Sequence, residues 1–282
     1  MRSLPLSSFA FNAGRAAEAH LTAEFAGGRT VLRRQRVGYP LHVTRGFYLD
    51  PERPDLLTLY TQSASGGLYA GDRLKLDVTV RAGAALHLTT QAATVVHDGK
   101  GTASTQQLRI NVGSRAFCAI SSDPYVLFPG ASVSLDTVAV VAHDAALFLA
   151  GGIAVHDPRR SGRPFNQFVG RQRVLRPDGW LLLKDFGRIT GDALRNGPLG
   201  AMAATATVLV IAPREKWPAI EALMQAVDQC GCIAGVSEAP NQAGLVLRIL
   251  APDGGILARG IEAAFHVAGS SMLGIELARR RK

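Results

Sequence analysis

The sequence predicts a mainly β protein whose short strands form a stacked or coiled sheet. Short runs of alternating apolar and polar residues recur through the first half of the chain, and glycine turns separate them. The strand–helix–strand order of a parallel nucleotide-binding sheet is absent from this half. Of the 282 residues, 47% are hydrophobic and 19% are charged, which indicates a globular core.

Strand-like alternation begins at His20, whereas residues 1–18 are small, polar and irregular. We therefore expect a flexible N-terminal arm over residues 1–18 and a single domain over residues 19–282. The strands predicted in the first half cover residues 20–25, 30–37, 56–62, 74–80, 85–90, 106–112, 116–121 and 134–141. Glycine turns at 81–83, 98–101 and 111–114 are expected to supply positive φ angles where the chain reverses.

The second half of the chain adds a hairpin and a small α/β layer. The Arg-Pro-Asp-Gly turn at 176–179 lies between strands predicted at 169–174 and 180–186. A buried strand over 203–212 ends at Pro213, and apolar residues at helical spacing predict a helix over 217–229. A strand over 244–250, a turn at 253–255 and a second helix over 261–268 complete a layer spanning about residues 203–270.

The composition favours a soluble cytoplasmic protein. Cys118, Cys230 and Cys232 are too few for a disulfide framework, which favours a reducing compartment. We expect no membrane segment and no signal peptide, because no apolar run is long enough.

The formal charge of +9 is concentrated in basic clusters at 29–45, 159–176 and 279–282. No nucleic-acid motif or aromatic stacking platform accompanies these clusters. An acidic protein surface matches them at least as well as nucleic acid, so we expect a protein partner.

The most informative motif runs from residue 65 to residue 74 and contains three glycines and one aspartate. Gly67 and Gly71 predict a tight connection that presents Asp72 at the start of the next strand. Two interpretations stay open. Asp72 either hydrogen-bonds backbone amides in an exposed turn, or it offers a carboxylate to a metal ion or a partner loop at the mouth of a channel. With the polar patch that follows, the candidate residues for contact with a partner or a metal ion are Asp72, Gly67, Gly71, Arg73, Thr89, Thr90 and Gln91.

The sequence indicates neither a closed metal site nor a catalytic set. Histidine precedes aspartate at 97–98, 143–144 and 156–157, yet neighbouring strand residues face opposite sides and cannot chelate one ion. His87 and His97 are the remaining metal candidates, and each also has a structural explanation. The Cys-Gly-Cys segment at 230–232 lacks the further ligands of a closed site. We assign no catalytic residue, because the chain has no Gly-x-Ser-x-Gly elbow, phosphate-binding loop or HExxH motif.

The order of these motifs resembles the urease accessory protein D family (UreD, also called UreH). The resemblance covers about residues 21–268 and involves several segments in series. These are Gly-Arg-Thr at 28–30, Tyr-Pro-Leu at 39–41, the glycine–aspartate segment 66–74, Thr-Thr-Gln-Ala-Ala at 89–93, Pro-Tyr-Val-Leu-Phe at 124–128, and residues 201–213 and 244–254.

The resemblance implies an irregular, β-helix-like stack with two or three helices and no enzymatic activity. It implies a maturation scaffold, or chaperone, that binds apo-urease, the helical accessory protein UreF and, through it, the GTPase UreG. Such a scaffold offers nickel an internal route to the urease active site, so nickel is bound transiently and no cofactor stably. Asp72 is the position that the resemblance marks as functionally important.

The chain departs from the family pattern in places. Ala64 and Ser65 replace prolines before the double glycine, and a family carboxylate is absent near Arg163. The closing Pro-Arg motif is missing near residues 272–274. Two other classes of function stay open: a β-fold enzyme that uses Asp72 and a histidine as an acid–base pair, and a basic nucleic-acid-binding module.

Overall fold

The computed structural model describes residues 14–197 and 202–278, where the chain winds as a coil between two facing β-sheets. The first strands are β1 (Ala16–Ala26), β2 (Arg29–Val37), β3 (Leu41–Val43), β4 (Leu56–Ser63), β5 (Arg73–Val80), β6 (Ala85–Thr90), β7 (Val95–Val96), β8 (Ser104–Val112) and β9 (Phe117–Ser121). They are followed by β10 (Tyr125–Leu127), β11 (Ser132–Val141), β12 (Ala146–Val155), β13 (Gln167–Leu175), β14 (Leu181–Ile189), β15 (Ala204–Ile211), β16 (Ile233–Glu238) and β17 (Gly244–Ala251). The α-helices are α1 (Gly191–Arg195), α2 (Ile220–Asp228) and α3 (Gly254–Leu273).

Each turn of the coil contributes one strand to each sheet. Sheet A has the order β14-β13-β11-β8-β5-β1-β2, and sheet B has the order β16-β17-β15-β12-β9-β6-β4-β3 with β7 and β10 beside it. Neighbouring strands from successive turns are parallel, as in β4, β6, β9 and β12 of sheet B and β5, β8, β11 and β13 of sheet A. Antiparallel pairs close both ends of the stack. The expected mainly β, β-helix-like stacked fold is therefore confirmed.

The core between the sheets is built from rows of apolar residues in register. One row on sheet B contains Leu57, Leu86, Cys118, Leu147 and Ile211. All five side chains are buried, as is a matching row on sheet A. Alternate residues of these strands face inward, so the same period-2 pattern that predicts strands also builds the core.

Helices α2 and α3 cover the outer face of sheet B and enclose a second core. Phe265 of α3 lies among Phe148, His87 and other buried residues of that face, with ring centroids 5.2 Å and 4.4 Å away. Among the described helices, none combines the length and apolar character needed to cross a bilayer.

The glycine turns after β5 and after β8 are corners of the coil, because each leads into the other sheet. The turn at Gly27 and Gly28, in contrast, closes the antiparallel hairpin of β1 and β2. Gly83 and Gly101 have the expected positive φ, but at 111–114 the positive φ belongs to Arg115 (φ 54°) and not to glycine. A turn signal specifies a bend, and it does not specify which strand will pair with the next one.

The C-terminal layer differs from expectation in its helices. The predicted turn at 253–255 is the start of α3, where the Asp253 carboxylate accepts a hydrogen bond from the Ile256 amide (2.8 Å). The helix continues to Leu273, whereas the sequence predicts only 261–268. Its two initial glycines have low helix propensity, and packing on sheet B compensates for it. Helix α2 is shorter than predicted, while the 176–179 hairpin and the strand end at Pro213 are confirmed.

Candidate functional site

The glycine–aspartate motif forms a corner in which Asp72 is buried, with 1% of its surface exposed. The amide of Arg15 donates to Oδ1 at 2.9 Å, and the Arg15 Nε donates to the same atom at 3.1 Å. The Tyr69 amide donates to Oδ2 at 2.9 Å, and Arg15 Nη2 forms a short ion pair with Oδ2. The expectation of an exposed turn aspartate is therefore wrong, because a cation 57 residues earlier in the chain covers the carboxylate.

These contacts fix the protonation state of Asp72. Burial alone would raise the pKa of its carboxyl group. Hydrogen bonds from the Arg15 side chain and from the Tyr69 and Arg15 amides, with the charge of Arg15, outweigh burial and hold the pKa below its ordinary value. Asp72 is therefore a structural anion whose lone pairs are already used.

The neighbouring glycines make the corner possible. Gly67 has a φ of 127°, and a Cβ there would lie 2.2 Å from the carbonyl oxygen of Val95. Gly71 has a φ of 73°, which favours glycine.

Arg73 is exposed, and its amide donates to the Arg15 carbonyl at 2.7 Å. The segment before β1 is thus tied to the corner, and β1 begins four residues before His20.

A row of rings extends from this corner along the stack. Tyr69 stacks on His97 with centroids 4.3 Å apart, and the Arg15 guanidinium lies 5.0 Å from the centre of the Tyr69 ring. The rings of His97 and Phe128 are nearly perpendicular with centroids 5.4 Å apart, and the centroids of Phe128 and His156 are 5.7 Å apart. We call Tyr69, His97, Phe128 and His156 the ring row.

The ring row follows from the register of the coil. Leu68, Val96, Leu127 and Val155 pair side by side on consecutive turns, and each ring belongs to the residue that follows. His97 also bonds to the Gly66 carbonyl through Nε2 at 3.1 Å. The structure thus brings the candidates His97, Gly67 and Asp72 into one corner.

The Thr-Thr-Gln patch is divided between two faces of sheet B. Thr89 is buried on the helix side and donates to the Ser121 carbonyl at 2.7 Å. His87, on the same side, contacts the Ser121 hydroxyl and stacks on Phe265. Thr90 faces the other sheet and accepts from the Asp123 amide at 2.7 Å, while Gln91 is exposed.

Two adjoining cavities lie between the sheets. One has a volume of about 150 Å³ and the other about 70 Å³. Both are lined by Gln106, Leu108, Ile120, Ser122 and Tyr125, so they share a wall. The Tyr125 hydroxyl donates to Gln106 Oε1 in that wall.

The lining of these cavities is polar at many points. The larger contains Asp123, Thr137, Gln172 and the ion pair between Asp185 and Arg248. Oε1 of Gln172 is buried and has no hydrogen-bond partner among the described residues. The smaller is lined by Thr90 and by His42, a histidine that the sequence analysis does not single out. Asp72 lines neither cavity.

The aspartates of the three histidine–aspartate pairs have structural roles. Asp98, Asp144 and Asp157 each accept hydrogen bonds from nearby turn residues. No group of three or more histidine, cysteine or acidic residues comes together within the described ranges. Burial raises the pKa of Cys232 to about 11, which keeps its thiol protonated and a poor metal ligand.

Fold and site together define a class of protein: a coiled-sheet protein with two adjoining cavities between its sheets. A family model described as UreD urease accessory protein matches residues 15–282. The urease accessory protein UreD 3 of Bradyrhizobium sp. strain ORS 278 is 64% identical over 282 residues, which is all of both chains. UreD 1 of Bradyrhizobium sp. strain BTAi1 is 61% identical over the same full lengths. UreD 1 of Methylorubrum populi is 44% identical over 272 residues, which cover 95% of this chain and 92% of that protein. The chain belongs to the UreD family of urease accessory proteins.

Proposed function

We propose that this protein is a non-catalytic scaffold that takes part in loading nickel into apo-urease. The observation that carries the proposal is the pair of adjoining cavities between the sheets, whose walls include several polar side chains, in a chain that belongs to the urease accessory proteins. UreF-like and UreG-like accessory proteins and apo-urease are the proposed partners, and the cytoplasm is the proposed location.

The chemistry of the cavity lining suits a transient cargo. Asp123, Thr137 and Gln172 offer oxygen atoms, and His42 offers the one imidazole of the lining in the described ranges. Imidazole is the donor that nickel prefers among these, whereas isolated oxygen donors bind it loosely. Such a lining lets Ni²⁺ exchange between positions and supports passage rather than storage.

An enzymatic function is less well supported. The hydrogen-bond partners of the Asp72 carboxylate within the described residues are Arg15 and Tyr69, so the acid–base pair with a histidine is not formed. His87 and Ser121 make a serine–histidine contact of the kind that hydrolases use. That pair is buried beneath Phe265, and the adjacent cavity of about 10 Å³ has room for at most one water molecule.

The proposal is tested by complementation in cells that express the urease genes but lack this chain. We expect urease to be made without nickel in the deletion strain, and plasmid-borne protein to restore both the nickel content and the activity. Co-purification should recover the UreF-like protein with the tagged chain. Full urease activation without the chain would contradict the proposal, as would turnover of a small substrate by the purified protein.

A further inference from the structure

We propose that the ring row and the arginines beside it form a docking site for an acidic segment of a partner protein. The proposal rests on the scaffold function only in expecting a protein partner, and it does not depend on the nickel route. Its basis is the geometry of the row, the charge around it and the contacts that hold it.

The ring row is presented to solvent on a rigid base. Tyr69 is 44% exposed, His156 is exposed, and His97 and Phe128 are half-buried. The row is anchored by main-chain bonds between turns of the coil: His97 to Leu68 (2.9 Å), Phe128 to Val96 (3.1 Å) and His156 to Leu127 (3.1 Å). The rings are therefore preorganised, and little side-chain entropy is lost when a partner binds to them.

The surface beside the row carries excess positive charge. Exposed cations on the same and the following turns of the coil are Arg73, Lys100, Arg159 and Arg160. None of these forms an ion pair with an acidic group in residues 14–197 and 202–278. The acidic residues nearby are already engaged: Asp98 pairs with Arg163 at 3.3 Å, and Asp157 accepts from the Gly162 amide at 2.8 Å. Such a surface attracts carboxylates.

The stacking geometry favours an acidic peptide over single-stranded nucleic acid. A base binds an aromatic platform through a free ring face. One face of Tyr69 is covered by His97, which leaves the other face for the Arg15 guanidinium. Beside its rings the surface offers exposed charged side chains, which suit carboxylates.

Asp72 acts in this site as a positioning residue. It holds the Arg15 guanidinium through Nε and Nη2, and the same guanidinium donates to the Gly67 carbonyl at 3.1 Å. Loss of the carboxylate would free Arg15 from the Tyr69 ring. The aspartate of the motif therefore serves partner binding through Arg15, without touching the partner itself.

The experiment measures fluorescence anisotropy of a labelled peptide that repeats glutamate–glutamate–leucine, added to the full-length protein. A peptide with glutamine in place of glutamate and an oligothymidylate of equal length are the comparison probes. We expect the glutamate peptide to bind most tightly, and Tyr69→Ala and Arg159→Glu each to weaken it by about tenfold. Asp72→Asn should weaken it too.

Matched variants on another face provide the control. Phe186 is 57% exposed beside Arg171, at 5.6 Å, on the open face of sheet A. Phe186→Ala and Arg171→Glu should leave peptide affinity unchanged. Tyr69→Phe keeps the stacked ring and should retain binding, which separates loss of the site from loss of folding.

Several outcomes would overturn the proposal: equal binding of the glutamate and glutamine peptides, tighter binding of oligothymidylate, or equal losses in the two sets of variants. The same variants are assayed for urease activation in cells. If activation requires the chain but the peptide results fail, the docking proposal is wrong and the scaffold function stands. If the peptide binds as expected but the deletion strain activates urease, the scaffold function is wrong instead.

Discussion

At Asp72, the cost of burying a carboxylate is offset by one guanidinium and two amides. The Arg15 side chain is 29% exposed, so it would regain water if Asp72 were removed. Removing one partner of a buried pair usually leaves an uncompensated charge. Here the exposed side of Arg15 reduces that cost.

We expect Asp72→Asn to lower the free energy of unfolding by about 2 kcal/mol. Asp98→Asn is the matched control, because its pair with Arg163 is largely exposed and such pairs contribute less than about 1 kcal/mol. Urea denaturation monitored by circular dichroism gives both values. Equal losses of unfolding free energy in the two variants would show that the Asp72–Arg15 pair stabilises the protein no more than an exposed ion pair does.

The lowered pKa of Asp72 adds a pH dependence. A carboxyl whose folded pKa lies below its unfolded value of about 3.9 stabilises the protein above that value. The contribution is lost as pH falls through the folded pKa. The stability gap between the native protein and Asp72→Asn should therefore be constant from pH 7 to about pH 5 and narrow below about pH 4. A gap that stays constant as the pH is lowered to 3 would contradict this.

At the scale of elements, helix α3 fixes the outer face of sheet B. Only 1% of the surface of Phe265 is exposed, and its ring contacts both Phe148 and His87. The side chain of Phe186, in contrast, is largely solvated. The two phenylalanines therefore offer a paired test of packing.

We expect Phe265→Ala to lower the free energy of unfolding by about 3–5 kcal/mol, the usual cost of emptying a phenylalanine site. Phe186→Ala should stay within about 0.5 kcal/mol of the native protein. Thermal and urea unfolding of both variants make the comparison. A small effect at Phe265 would mean that α3 does not contribute to the cooperative core.

The sequence predicts individual strands well, because each strand buries alternate residues against one core. It does not predict their parallel pairing, since alternation specifies a buried face and leaves the neighbouring strand open. The sequence singles out Asp72 because glycines precede it. It does not reveal the partner of Asp72, because Arg15 lies in a segment whose composition predicts a flexible arm. The cavities are equally hidden, because Gln106 lies between Thr105 and Gln107, and Gln172 lies between Arg171 and Arg173, so neither stands out in the sequence as an inward-facing polar residue.

At the scale of the whole molecule, the larger cavity between the two sheets allows a test of the proposed nickel route. Gly151 of β12 faces the larger cavity, and the nearest atom to a Cβ placed there is Gln172 Nε2 at 4.0 Å. Gly235 of the edge strand β16 has no neighbour within 4 Å of such a Cβ and is exposed. A Cβ at either position has no close neighbour, but only the one at position 151 lies against the larger cavity.

We expect Gly151→Val to reduce urease activation in cells by about tenfold or more. A tenfold slower transfer of nickel corresponds to a free-energy barrier that is higher by about 1.4 kcal/mol. The amount of the accessory complex should be unchanged, and Gly235→Val should activate urease normally. Urease activity and nickel content per urease subunit are the measurements. Normal nickel loading in Gly151→Val would argue that nickel does not pass between the sheets.

The parallel pairing of successive turns also sets the order in which the chain can fold during synthesis. Strands β6, β9 and β12 each pair with a strand made one turn earlier, so the growing chain can add turns one after another as it leaves the ribosome. The outer face of sheet B is different, because α3 comes last among the described elements. Until that helix emerges, the nascent protein exposes the apolar outer face of β9, β12, β15 and β17, and the time between synthesis of these strands and of α3 determines how long that face is open to aggregation.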